Sequence, residues 1–172
     1  MQNAWLANRA TLPFDTAGVV ARINHAAACI RSSGGTVIFV QHEAEDAIAG
    51  SQPWEIIPTL DTAANDLTVG KRACDPCADT DFLQKLAHAG GATVYVCGFA
   101  TEFCVDSAVR ATASRAMDLV VLSDAHTTSN RPHLDAQGII AHHNWIWSNM
   151  AVPASSTLAV RTVAEAFPLT PG

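Results

Sequence analysis

The chain has 172 residues, 49% of them apolar and only 15% charged, with a formal charge of −6 and a pI near 5.5. That length suits one domain with a sizeable core, and an acidic chain without any Lys/Arg run excludes a nucleic-acid binder. The longest apolar runs are strand-sized and the N-terminus has no basic-then-apolar pattern, which argues against a membrane span and a secretory leader. Five cysteines, an odd number spread through predicted strands and helices, suit reduced thiols in a cytosol better than a disulfide framework. So low a charge leaves surface for packing against further copies of the chain, and a homo-oligomer is expected.

Residues 16–33 are expected to be helical: Thr16 can cap, Val19, Val20, Ile23, Ala27 and Ile30 follow helical spacing, and Gly34-Gly35 stops the run. Thr36-Val-Ile-Phe-Val40 reads as a strand apolar on both faces, as in a covered parallel sheet. Residues 42–66, punctuated by Gly50, Pro53 and Pro58, form a long irregular loop, the kind used for function or oligomer contacts. Leu67–Lys71 is a further strand candidate. Asp79 or Thr80 caps a helix over 81–89 that Gly90-Gly91 ends. A strand over 93–97, a helix from about 101 to 115 and a strand Leu119–Leu122 make two consecutive βα units. A helix over 137–148 and a strand over 158–163 follow. Such alternation specifies a single-domain, doubly wound α/β fold, mostly parallel, with helices on both faces.

Val94-Tyr-Val-Cys-Gly-Phe-Ala-Thr-Glu-Phe-Cys-Val-Asp106 is the most informative stretch. A buried strand breaks at Gly98 and turns into a helix near Thr101, which puts Cys104 in the first helical turn. Free N–H groups and the positive end of the helix dipole stabilise an anion there, a thiolate included. The elbow also lies at the carboxyl edge of the sheet, where open α/β folds keep their clefts. A small buried core cysteine is the bland alternative.

The strings Gly98-Phe-Ala-Thr-Glu-Phe-Cys-Val105 and Ser123-Asp-Ala-His-Thr-Thr128, with Lys71 at a strand end upstream of Thr80-Asp-Phe-Leu83, resemble the isochorismatase-like cysteine hydrolases. That superfamily includes nicotinamidases and N-carbamoylsarcosine amidases. The resemblance spans residues 34–150 and implies an Asp–Lys–Cys triad, with Cys104 as nucleophile and Lys71 as the cation beside it. It further implies a cis peptide at Phe99–Ala100 that turns elbow N–H groups, that of Cys104 among them, toward an oxyanion. Such a site cleaves a small amide or related bond of a small-molecule substrate without a cofactor. Family members open with an apolar strand ending in Asp-x-Gln-Asn, whereas this chain opens Met1-Gln-Asn-Ala-Trp5. The resemblance therefore implies that the strand and its Asp lie ahead of residue 1, through a misassigned start or a truncation. Asp15, Asp46 and Asp61 end no apolar run and are poor substitutes. A catalytically impaired member, serving as a ligand binder or oligomer scaffold, is the rival reading.

Other residues invite weaker readings. Cys74-x-x-Cys77 suggests zinc or redox chemistry, but one pair without a second is weak, and Pro76 fits a simple turn. Adjacent His142 and His143 diverge on a helix. Metal-binding family members carry Asp-x-His where this chain has Gln41-His-Glu-Ala-Glu45, so no metal site is expected. His42 is either a polar residue of the cleft rim or a surface histidine. Trp54, beside Glu55 in the long loop, lines a substrate pocket or packs at a subunit contact. Phe103, next to the nucleophile, is assigned to substrate binding. Trp145 and Trp147 are expected to be packing residues. Asp124 is expected to anchor the 123–128 loop through its own backbone.

Overall fold

A computed structural model describes residues 1–6, 12–90 and 93–168; Gly91, half of the expected helix stop, lies outside them. In chain order the elements are α1 (Asn3–Leu6), α2 (Thr16–Ser32), β1 (Ile38–His42), β2 (Leu67–Lys71), α3 (Phe82–Ala89) and β3 (Thr93–Phe99). A π-helical turn (Thr101–Val105) then runs into α4 (Asp106–Ala113), followed by β4 (Asp118–Thr127), α5 (Ala136–Ser148), β5 (Leu158–Arg161) and α6 (Val163–Ala166). Every ladder is parallel, and no helix among the described residues is long and apolar enough to cross a membrane.

Alternation along the strands, reset in β4 where its register with β3 shifts after Val121, feeds two cores. Leu119 and Val121 of β4 pack with Val105, Val109 and Trp147 beneath α4 and α5. Leu122 and Ala125 pack on the opposite face with Val19, Val20 and Ile23 of α2 and Val163 of α6. Helices thus cover both faces, the arrangement expected of the α/β alternation.

The sheet is divided. β1 pairs with β2, and β3–β4–β5 form a second sheet; no ladder joins β1 to β3 among the described residues. Between them runs an apolar cleft of about 300 Å³, walled by Phe39 and Val40 on one side and Tyr95 and Val96 on the other. Ile23 and Ile30 of α2 close one face of this cleft, and Phe82 and Leu86 of α3 the other.

Several local expectations are corrected. β1 begins two residues later than Thr36 and reaches His42. β4 does not stop at Leu122 but continues to Thr127, because its polar end is held: the Thr127 hydroxyl donates to the Phe14 carbonyl, and Phe14 N–H donates to Thr128 O at 2.9 Å. The strand over 158–163 ends at Arg161, where Thr162 and Glu165 form a reciprocal capping box that starts α6. Thr16 does not cap α2; its hydroxyl donates to Pro13 O at 2.8 Å. Thr80 does act at the start of α3, accepting the Phe82 N–H at 3.1 Å, and Gly90 in the left-handed region closes that helix. Asp124 braces α6 rather than its own loop, accepting Val163 N–H at 2.9 Å. Trp147 is fully buried, but Trp145 is 66% exposed and is no packing residue.

Candidate active site

At the elbow the β3–β4 register shifts, with Val96 opposite Val121 but Gly98 opposite His126, and Gly98 has φ 125°, a backbone state that side-chain-bearing residues rarely adopt. After it the Phe99–Ala100 peptide is cis. The Ala100 carbonyl then takes the N–H groups of Phe103 (3.1 Å) and Val105 (3.2 Å), the latter spacing being that of a π turn, and not that of Cys104. The first helical turn is therefore wider than the α-turn expected from sequence. Cys104 sits within it, half-buried.

Lys71, at the end of β2, is 5% exposed although it bears an ammonium. Its Nζ donates to Cys104 Sγ at 3.1 Å and to Ala73 O at 2.8 Å, with His42 Nδ1 at 3.5 Å. No carboxylate among the described residues forms an ion pair with it. His42, at the end of β1, is half-buried beside this ammonium; burial first and Lys71 second hold its pKa below the usual imidazole value. Its backbone is pinned by Gln2, whose amide donates to His42 O (2.9 Å) and accepts His42 N–H (2.7 Å).

Trp54 enters the same rim through its carbonyl, which accepts from Gln2 (2.7 Å) and Gln41 (3.0 Å), while its indole N–H is buried without a partner among the described residues. Phe103 is 49% exposed, with the Arg131 guanidinium 5.3 Å over its ring. Arg131 is itself paired with Glu102 at 2.5 Å.

Two features escaped sequence reading. His126 links the elbow to α5: its Nδ1 lies 2.9 Å from Thr101 Oγ1 and its Nε2 lies 3.0 Å from Asn144 Oδ1. Gln2 ties the N-terminal segment to the rim. The carboxyl-edge position of His126 was readable from its strand; the Gln2 contacts depend on long-range folding.

The isochorismatase domain model matches residues 1–148. The chain belongs to the isochorismatase family. Among solved structures, an isochorismatase family protein is 26% identical, with 91% of this chain and 92% of that one covered and a TM-score of 0.83. A cysteine hydrolase from Pseudomonas syringae pv. phaseolicola 1448A is 20% identical (96% and 86% covered, TM-score 0.85). N-carbamoylsarcosine amidase from Thermoplasma acidophilum is 18% identical (95% and 92% covered, TM-score 0.75), and like the previous one it speaks for the fold alone. No curated protein matches the chain. As an isochorismatase-family member, this protein has a hydrolase fold whose carboxyl edge carries Cys104, Lys71 and the cis peptide in one cluster.

Proposed function

We propose that the protein is a cysteine hydrolase that cleaves a small amide or related C–N bond, with Cys104 as nucleophile and Lys71 as the cation that holds its charge. The observation that carries this reading is the 3.1 Å approach of a buried ammonium to the sulfur at the elbow. An unpaired buried charge is expensive, so a lysine kept there with the thiol as its partner points to charge on sulfur as the working state. Attack on the carbonyl carbon forms a thioester through a tetrahedral oxyanion, and the elbow N–H groups, that of Cys104 among them, face the developing charge. The leaving nitrogen takes a proton, and water then releases the acid. Lys71, serving as counter-ion to the sulfur, is not the group that shuttles those protons. His42, Trp54 and Phe103 form the substrate rim. Unpaired thiols throughout the described residues fit a reducing compartment, and exposed Trp145 and Ile48 (66% and 62%) fit self-association.

A panel of small amides and ureides tests the assignment. Cys104→Ala should abolish turnover, and Lys71→Met should lower it by roughly 10² or more, with a larger effect on kcat than on KM. Turnover undiminished in Cys104→Ala would remove the nucleophile assignment.

One observation favours a second reading, an impaired family member that binds a small ligand: among the described residues no carboxylate pairs with Lys71. In that case ligands bind by calorimetry, while neither amide nor ester turns over above the Cys104→Ala background.

A further inference from the structure

The π turn governs the fate of one N–H group. Counted from the Ala100 carbonyl, Phe103 is three residues on, Cys104 four and Val105 five. The carbonyl takes the N–H groups of Phe103 and Val105. An α-turn would take that of Cys104 instead and so use up the N–H beside the sulfur. Thr101 is the second competitor for this group. A threonine at a helix start ordinarily accepts the N–H three residues on, which is again that of Cys104. Here the Thr101 hydroxyl lies 2.9 Å from His126 Nδ1, and among the described residues no N–H of the turn donates to it.

Such a turn is uncommon, and side chains of α5 hold this one at both ends. At its start, Asn144 donates its amide N–H to Ser123 O at 3.0 Å, so its oxygen takes His126 Nε2–H at 3.0 Å. That leaves Nδ1 to accept the Thr101 hydroxyl. Thr101 and His126 are both buried, so water does not compete for this bond. At the far end, Asp106 accepts the Trp147 indole N–H at 2.9 Å. His126 and Trp147 meet edge-on with ring centroids 5.2 Å apart, which joins the two anchors into one packed unit. The register shift delivers His126 to this place, opposite Gly98 of the elbow.

We propose that Thr101, His126 and Asn144 are positioning residues that hold the π turn open and thereby keep the Cys104 N–H free to receive an oxyanion. This rests on reading Cys104 as the nucleophile. Buried as they are, Thr101 and His126 act through the turn and not on the substrate. When the sulfur adds to a carbonyl carbon, the C–S bond forms and the π pair moves to oxygen, where the free N–H meets it. A turn that tightened to α would commit that N–H to Ala100 O, while Lys71 would still hold the charge on sulfur. The anchors therefore control acyl transfer and leave thiolate formation alone.

Two reagents separate those steps. p-Nitrophenyl acetate acylates a thiolate through an oxyanion, whereas iodoacetamide alkylates it by displacement at a saturated carbon. On the full chain, Thr101→Val should slow acylation of Cys104 by about 10- to 100-fold, less than outright loss of an oxyanion donor costs, and leave the alkylation rate as in the parent. Thr101→Ser, which restores the hydroxyl, should recover acylation. Acylation of Thr101→Val at the parent rate, or equal losses of acylation and alkylation, overturns the positioning role and leaves Cys104 as nucleophile. A parent acylated no faster than Cys104→Ala overturns both readings. Should Thr101→Val not fold, amide hydrogen exchange on the parent decides: the Cys104 N–H should exchange ahead of those of Phe103 and Val105, and equal protection of the three overturns the proposal.

Discussion

Acidification should destabilise this protein through His126. The ring is 1% exposed, lies edge-on to Trp147 at 5.2 Å, and its pKa is lowered from 6.5 to about 4, burial being the main cause. The Asn144 amide nitrogen donates to Ser123 O at 3.0 Å, which leaves its oxygen as acceptor for Nε2–H. Nδ1 is therefore the bare nitrogen, and the Thr101 hydroxyl donates to it. A second ring proton would confront that hydroxyl; His143 nearby also opposes it, while Asp124 favours it. A folded pKa below the unfolded one means stability is intact above about 6.5 and is lost as pH falls toward about 4. The complete loss is about 3 kcal/mol, and about 2 kcal/mol of it has gone by pH 5, since each pH unit between the two values is worth about 1.4 kcal/mol. Urea denaturation at pH 7.5 and pH 5, on the parent and on His126→Gln, isolates this part, because the remaining histidines cancel. The parent should lose about 2 kcal/mol more than the variant over that interval. Should His126→Gln fail to fold, an NMR titration of the parent gives the same answer, with the ring neutral at pH 5. Parallel pH dependences in the two proteins, or a ring that titrates near 6.5, would refute the reasoning.

Alkylation under mildly acidic conditions should label Cys104 ahead of the other four cysteines. Burial raises the pKa of Cys74 and Cys77 and takes Cys97 to about 11, and labelling of any of these first would count against the site. Asp106→Ala should cost about 1–3 kcal/mol by denaturation, since it strands the buried Trp147 indole N–H that Asp106 accepts at 2.9 Å.

The βα order and the elbow were legible because their signals are local: apolar runs of strand length, paired glycines, and one break at Gly98. The polar half of β4 was not. Ser123 to Thr127 lacks an apolar run, and what keeps it extended is bonding to Phe14 and to Asn144, which are distant in sequence. The start of α6 was readable in principle from Thr162-x-x-Glu165, a capping signature overlooked beside the apolar strand before it. Trp145 and Trp147 resemble one another in sequence, yet residues two apart on a helix face different directions, and only one meets the core. The approach of Lys71 to Cys104 is set by how β2 and β3 are placed, and no spacing along the chain encodes it.

The division of the sheet has a mechanical consequence. Lys71 rides on the leaf formed by β1 and β2, and Cys104 on the leaf formed by β3, β4 and β5. In an unbroken sheet the separation of two such groups is locked by ladder hydrogen bonds. Here it is set by α2, whose core reaches both leaves through Phe39 and Tyr95. The Lys71–Cys104 distance therefore acts as a gauge of how the leaves sit, and whatever spreads or draws them together retunes the sulfur without touching it.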